Sequence, residues 1–172
     1  MGASEHAVDD VGALIEELRI RRLHAHYADA VNRRAWDEFD DLFLPDAHLE
    51  VARHSAPSEF ATGPGAIGDL IGGFLSKYDF LIQVILNARI TVGYASDPQQ
   101  AFARLYIAEY RQLTQGGRRL ESSGSYHDVY RNVGGRWWFA QRRYDRIYAT
   151  APQDLEVHAF PTDLPFADGF RR

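Results

Sequence analysis

The chain predicts an α+β fold in which helices come first and a mainly antiparallel run of long strands follows. Three observations carry this reading. Residues 11–33 place apolar side chains at helical spacing. After Asp79 the pattern changes to long segments rich in β-branched and aromatic residues. The junctions between those segments, "SDPQ", "TQGG" and "GG", are turn chemistry. Helical and strand patterns that are segregated along the chain, not alternating, mark α+β architecture.

The elements follow in order. Leu14, Leu18, Ile20, Leu23, Tyr27, Ala30 and Val31 share one broad face of the first helix, with Glu16, Glu17 and three arginines elsewhere. Trp36, Phe39 and Phe43, at i, i+3 and i+7, predict a second short helix that stops at Leu44-Pro45, because a residue before proline disfavours the α conformation. "AHLEVA" reads as a first strand, "SAPSEFATGPG" as a loop and "AIGDLIGGFLSKY" as a third helix. Four strands close the domain: "FLIQVILNARITVGY", "QQAFARLYIAEYRQL", "RLESSGSYHDVYRNV" and "RWWFAQRRYDRIYAT". A long curved sheet of this kind can close partly around a cavity, with the helices on its concave face. The organisation is a flexible N-terminus at 1–10, a single domain at 11–150 and an aperiodic tail at 151–172 that either packs over a cavity mouth or neighbouring subunit or stays disordered.

Composition bounds the function. With 172 residues, 45% hydrophobic and 25% charged, the chain suits one globular domain. A net charge of −5 argues against nucleic acid and anionic membranes as partners. Cysteine is absent, which removes thiolate chemistry and suits a reducing cytoplasm. No apolar run approaches the roughly 20 residues of a membrane span, and "MGASEHAVDDVG" has neither the basic start nor the apolar core of a signal peptide. No HExxH or similar spacing occurs, so no metal is expected. "GPGAIG" has the form of a dinucleotide loop without its preceding strand, and Ser122, Ser123 and Ser125 lack a nucleophile-elbow context.

The strings "IRRLHAHYADAVNRRAWDEFDDLFLPDA", "GPGAIGDLI", "LNARI" and "SGSYHDVYRNVGGRWWFAQRR" resemble the SnoaL-like group of the nuclear transport factor 2-like superfamily, which includes relatives of scytalone dehydratase, hexachlorocyclohexane dehydrochlorinase and ketosteroid isomerase. The resemblance implies a cone-shaped barrel with a deep apolar pocket and no cofactor. It also implies a dyad: a carboxylate at the end of the first helix and a histidine on the strand after the third. Carried onto this chain, the carboxylate position falls on Asn32 and the histidine position on Gln83. Both are amides, which hydrogen-bond but take up no proton at neutral pH. Asn32 has three readings: a replaced acid, a native polar ligand-binding group, or a helix-end residue using its tolerance of left-handed backbone. Tyr27 is a candidate for substrate oxygen unless its ring only fills the core. Arg142 matches a cationic family position; it either binds a substrate oxygen or pairs with Asp128 or Asp145 in solvent. Strand alternation groups it with Trp138, Ala140, Tyr144 and Arg146. His26, His48 and His127 are the remaining bases, and Asp46 reads as a turn residue.

Three functions follow. One is a cofactor-independent dehydratase or isomerase acting on a small hydrophobic oxygenated ring, with weak or absent turnover because Asn32 and Gln83 replace the acid and base. The second is a non-catalytic protein that binds a small hydrophobic molecule, and the third a small β subunit of an aromatic-ring dioxygenase. The resemblance implies a homodimer or homotrimer.

Overall fold

A computed structural model describes residues 3–53, 56–94, 97–150 and 155–157. Helix α1 spans Ala3–Arg33, a short 3-10 helix Trp36–Asp41 and helix α2 Pro64–Leu75. The strands are β1 (Phe43–Val51), β2 (Glu59–Thr62), β3 (Tyr78–Tyr94), β4 (Asp97–Leu113), β5 (Arg119–Val133), β6 (Arg136–Thr150) and β7 (Leu155–Val157). The sheet order is β2-β1-β6-β5-β4-β3, with β7 added to β6. All neighbours are antiparallel except β1 and β6, which run parallel. The predicted helices and curved sheet are present, as an open cone: β2 and β3 remain its edges among the described residues.

Two expectations need correction. The second helix ends earlier than its aromatic spacing suggested, because Phe43 already pairs with Phe139 in the parallel β1–β6 ladder. Pro45 is therefore a strand residue, lying where the register shifts between Phe43 and His48, a position that tolerates a missing N–H. Within the expected 55–65 loop, Glu59–Thr62 forms β2 against β1. Its alternation covers only four residues, too few to separate from the surrounding turn formers. Most of the predicted tail lies outside the described residues.

Helix α1 buries Ile20, Leu23, Tyr27, Ala30 and Val31. The earlier part of its stripe, Leu14 and Leu18, stays more than half exposed at 55% and 51%. The helix ends in a Schellman motif: Arg34 N–H donates to the Val31 carbonyl and Ala35 N–H to the Ala30 carbonyl. The left-handed residue is Arg34, at φ 59°, so Asn32 lies within the last helical turn and is not the left-handed cap. Tyr27 of this helix stacks on Phe39 and meets Phe43 and Phe139 edge-on, while Phe43 and Phe139 stack with centroids 4.9 Å apart. Helix α2 presents Gly68 and Gly72 to Trp36, where a Cβ would stand 3.2 and 3.3 Å from that side chain.

A bulge in β6 resets the face assignment. Val129 pairs with Gln141 and Tyr130 with Phe139, so Ala140 is skipped. Past a bulge the side-chain alternation inverts. Trp137 and Phe139 therefore join Arg142 on the inner face, where the strict alternation had separated them.

Candidate active site

Helix α1 docks along the free edge of β3. Arg21 Nη2 donates to the Ala88 carbonyl, Arg34 Nη2 to the Tyr78 carbonyl, and Asn32 lies between them. The Asn32 amide is bound twice to the Gln83 main chain: Nδ2 donates to the carbonyl at 3.1 Å and Oδ1 accepts from the N–H at 2.7 Å. Edge backbone needs such partners, so Asn32 acts here as an extra strand residue. The two carboxamides do not meet side chain to side chain.

The Gln83 side chain points the other way, into a cavity of about 200 Å³ between α1, α2 and the concave sheet face. One wall is apolar, built from Val31, Leu49, Val51, Ile71, Phe74 and Leu75. The opposite wall carries Gln83, Glu109, Arg111, Tyr126, Tyr144 and Arg146. Tyr27 also lines the cavity; Asn32 and Arg142 do not. Gln83 Nε2 donates to Tyr126 Oη at 3.1 Å and to Glu109 Oε1 at 3.3 Å. The opposite amide orientation would set its oxygen against the carboxylate, so chemistry fixes the assignment. Ser122 Oγ donates to Glu109 Oε2 at 2.7 Å. Gln83 is 4% exposed, yet its Oε1 has no hydrogen-bond partner among the described residues. A buried acceptor in that state calls for a donor, and a ligand hydroxyl is one. Burial pushes the Tyr126 hydroxyl well above the ordinary tyrosine value, so it is a neutral donor at physiological pH. Its oxygen accepts from Gln83, and it shares a long hydrogen bond of 3.4 Å with the Tyr27 hydroxyl, from which its proton can turn to a ligand.

Gly124 shapes the same wall. A Cβ there would sit 2.5 Å from Tyr144 Cε2, so only glycine lets the Tyr144 ring lie flat against β5.

Arg142 belongs to a second, closed network. It is 2% exposed and makes a two-pronged ion pair with Asp128, Nε to Oδ1 at 2.8 Å and Nη2 to Oδ2 at 2.6 Å. Of its sequence alternatives, the Asp128 pair is realised, but in the core and not in solvent. Its guanidinium lies 4.0–4.1 Å from the ring centroids of Tyr27, Tyr126 and Phe139, a cation–π arrangement. Tyr130 donates to Asp128 Oδ2 at 2.6 Å, and His24 Nε2 meets the same tyrosine oxygen at 2.6 Å. Because the tyrosine proton goes to Asp128, His24 Nε2 is the donor. Burial, opposed by Asp128 and reinforced by Arg142, lowers the His24 pKa to about 3.

The three other candidate histidines do not line the cavity. His26 is exposed beside Glu38, His48 pairs with Thr62, and His127 sits with Asp145 and Arg104. Asp46 is ion-paired to Arg131 on the surface. Among the described residues no three His, Asp or Glu side chains gather as a metal site, and no helix is long and apolar enough to cross a membrane. Sequence reasoning missed Glu109, Arg111 and Tyr126. For the first two the signal was present: Leu105 and Ile107 set an inward phase on β4 that Glu109 and Arg111 continue with charge.

Residues 12–143 match the family described as SnoaL-like domain. Probable cyclase FGR4 of Gibberella zeae is 22% identical over 134 residues, covering 75% of this chain and 89% of that protein. The fold is shared with the protein named "Putative Scytalone Dehydratase" from Novosphingobium aromaticivorans DSM 12444, at TM-score 0.69 and 24% identity over 88% of this chain and 96% of that one. It is shared too with hexachlorocyclohexane dehydrochlorinase LinA-type3 from Novosphingobium barchaimii LL02, at TM-score 0.70 and 17% identity over 86% and 96%. Similarity at these identities establishes common architecture.

Proposed function

The chain belongs to the SnoaL-like domain family, and from that premise we propose a cytoplasmic, cofactor-independent lyase or isomerase of dehydratase type. Its substrate is a small hydrophobic ring carrying oxygen. One observation carries the reading: a ring-sized cavity, apolar on one side, whose other side joins the Glu109 carboxylate to Gln83 and Tyr126. A cavity of about 150 Å³ already accepts benzene, so about 200 Å³ suits one substituted ring.

In this scheme Glu109 takes the role that neither Asn32 nor Gln83 can fill. Its carboxylate accepts a proton from the carbon beside a carbonyl, and the electron pair moves to the carbonyl oxygen. The neutral Tyr126 hydroxyl donates to that oxygen as charge develops. Gln83 Oε1 receives a substrate hydroxyl. Glu109 then returns the proton, either to a hydroxyl leaving as water or to another ring carbon. Positioned proton transfer contributes roughly 10²–10⁴-fold.

The test is a panel of β-hydroxy ring ketones, followed by absorbance of the conjugated enone. Glu109→Gln is expected to lower kcat/KM by at least about 100-fold while the protein stays folded. Unchanged turnover in Glu109→Gln, or turnover gained only in Asn32→Asp, sinks the assignment. A second reading, a non-catalytic binding protein, draws on the amides at both dyad positions. Silence of wild type and Asn32→Asp across the panel, with ring ligands still bound, would favour it.

The same proposal includes a homodimer or homotrimer. Phe80, Ile82, Val84 and Leu86 form a stripe on β3 at 46%, 40%, 40% and 61% exposure, an apolar patch suited to burial between subunits. Light scattering should give two or three chain masses and Val84→Lys a single one; a monomeric wild type refutes this.

A further inference from the structure

The cavity's charge opposes that of the whole chain. The protein carries a net charge of −5, yet the lining holds Arg53, Lys77, Arg111 and Arg146 against the single acid Glu109. Arg53 is ion-paired to Glu59. Arg111 and Lys77 then face one carboxylate, which is itself held by Ser122 and Gln83.

Arg111 is the more specific of the two. Its Nη1 donates to the Tyr78 hydroxyl at 3.2 Å, and its guanidinium carbon lies 5.1 Å from that ring's centroid. The head is thus fixed in place. Its Nε is buried and has no hydrogen-bond partner among the described residues. The Nε edge of a guanidinium is one that carboxylates engage in two-pronged fashion, as Asp128 does on Arg142 in this molecule. Lys77, exposed at the rim, has no ion-pair partner among the described residues, and its Nζ lies 5.4 Å from the Tyr78 ring centroid. Glu109 and Arg111 are two residues apart on the same face of β4, a separation of about 7 Å along a strand. One six-membered ring substituted at opposite ends spans that interval.

We propose that the cavity takes a ring carboxylate: a single ring with its carboxylate on the Nε edge of Arg111, under Lys77, and an oxygen substituent across the ring at Gln83 and Glu109. This rests on the cavity being the substrate site and adds the charge and orientation of the substrate. It also explains how a carboxylate base and an anionic substrate share a small site, since they occupy opposite ends and the cations outnumber the acid.

Two unreactive probes of nearly the same shape separate charge from fit: 4-hydroxybenzoate and 4-hydroxybenzamide, titrated by calorimetry against the full chain. The benzoate is expected to bind at least tenfold tighter, and that margin should shrink as salt rises. Arg111→Gln should weaken the benzoate far more than the benzamide and so abolish the margin, Arg111→Lys should keep part of it, and Lys77→Gln should weaken the benzoate more than the benzamide. Equal affinity, or preference for the benzamide, overturns the ring-carboxylate inference and leaves the cavity reading standing. Failure of both probes to bind a folded wild-type chain overturns both. If Arg111→Gln does not fold, the wild-type preference, its salt dependence and Lys77→Gln still decide the matter.

Discussion

His24 should make the fold acid-sensitive through a single proton. Its ring is 3% exposed and held as a neutral donor to Tyr130, with its pKa lowered from 6.5 to about 3 by burial first. The unfolded chain binds a proton at this histidine below about pH 6.5 while the native chain refuses it until far lower. A depressed folded pKa means the contribution is fully present above the unfolded pKa and is lost as pH falls toward the folded one. Each pH unit in that window removes about 1.4 kcal/mol. From pH 6.5 to 4.5 the loss is on the order of 2–3 kcal/mol, a sizeable part of the roughly 5–15 kcal/mol that holds a domain together.

Partner-stabilised carboxylates also lose stability on acidification. Glu38 is held low by Arg33 and His26, and Asp145 by His127 and Arg143 against the opposing effect of burial. The informative quantity is therefore a difference. His24→Gln keeps a donor for Tyr130 but has no proton to gain. Urea unfolding of wild type and variant at half-unit steps between pH 4.5 and 7.5 should show the wild type losing about 2–3 kcal/mol more than the variant. Parallel pH slopes, or a variant more acid-sensitive than wild type, would refute the buried neutral histidine.

Asn32→Asp should destabilise by about 1–3 kcal/mol at pH 7, because a carboxylate keeps the Gln83 N–H bond but opposes the Gln83 carbonyl. Protonation would restore a donor, so the introduced acid is raised in pKa and the variant recovers relative to wild type as pH falls; equal stability at pH 7 in urea sinks the edge-docking account. Gly124→Ala should cost about 1–3 kcal/mol by overpacking and displace the Tyr144 ring, read as a lowered Tm together with lost 4-hydroxybenzamide binding; a neutral result on both counts against it. Arg142→Met alone should cost about 3–5 kcal/mol, since Asp128 is left as a buried unpaired charge, whereas Arg142→Met with Asp128→Leu should recover much of that loss. Additive costs in the double variant would show that the pair is not coupled.

How far the sequence reaches depends on the range of the interaction that decides each feature. Helix α1, helix α2 and the four long strands follow from local periodicity, and β5 and β6 match their predicted segments residue for residue. Strand β2 and the bulge at Ala140 are set by pairing with distant segments, which no local pattern reports. The bulge matters most at Arg142, whose neighbours Trp137 and Phe139 are misassigned without it. Similarly, the resemblance located Gln83 on the cavity wall but not the destination of Asn32, because a hydrogen bond to an unpaired strand edge depends on sheet order. Glu109 was missed for another reason: Leu105 and Ile107 set the inward phase it continues, but a glutamate in a strand reads as solvent-facing when its charge is weighed above that phase.

Two of the buried polar systems, those on either side of Tyr27 and Tyr126, differ in completeness, and this difference separates structure from chemistry. In the chain His24–Tyr130–Asp128–Arg142, each member answers the next, and the Arg142 nitrogen without a hydrogen-bond partner among the described residues, Nη1, belongs to a guanidinium packed among three aromatic faces. Such a network has no use for a ligand and serves to lock α1 to β5 and β6. The cavity wall is unfinished by comparison. Among the described residues Gln83 Oε1 lacks a donor and Arg111 Nε an acceptor, and both belong to residues that line the cavity with Glu109. Stability alone would favour filling those positions with satisfied or apolar groups. A missing donor at one end and a missing acceptor at the other define the complement of a molecule with a hydroxyl opposite a carboxylate. The closed network also lies directly behind the open one, since Arg142 stacks on Tyr27 and Tyr126, so loss of the Asp128–Arg142 pair should loosen ligand binding as well as the fold.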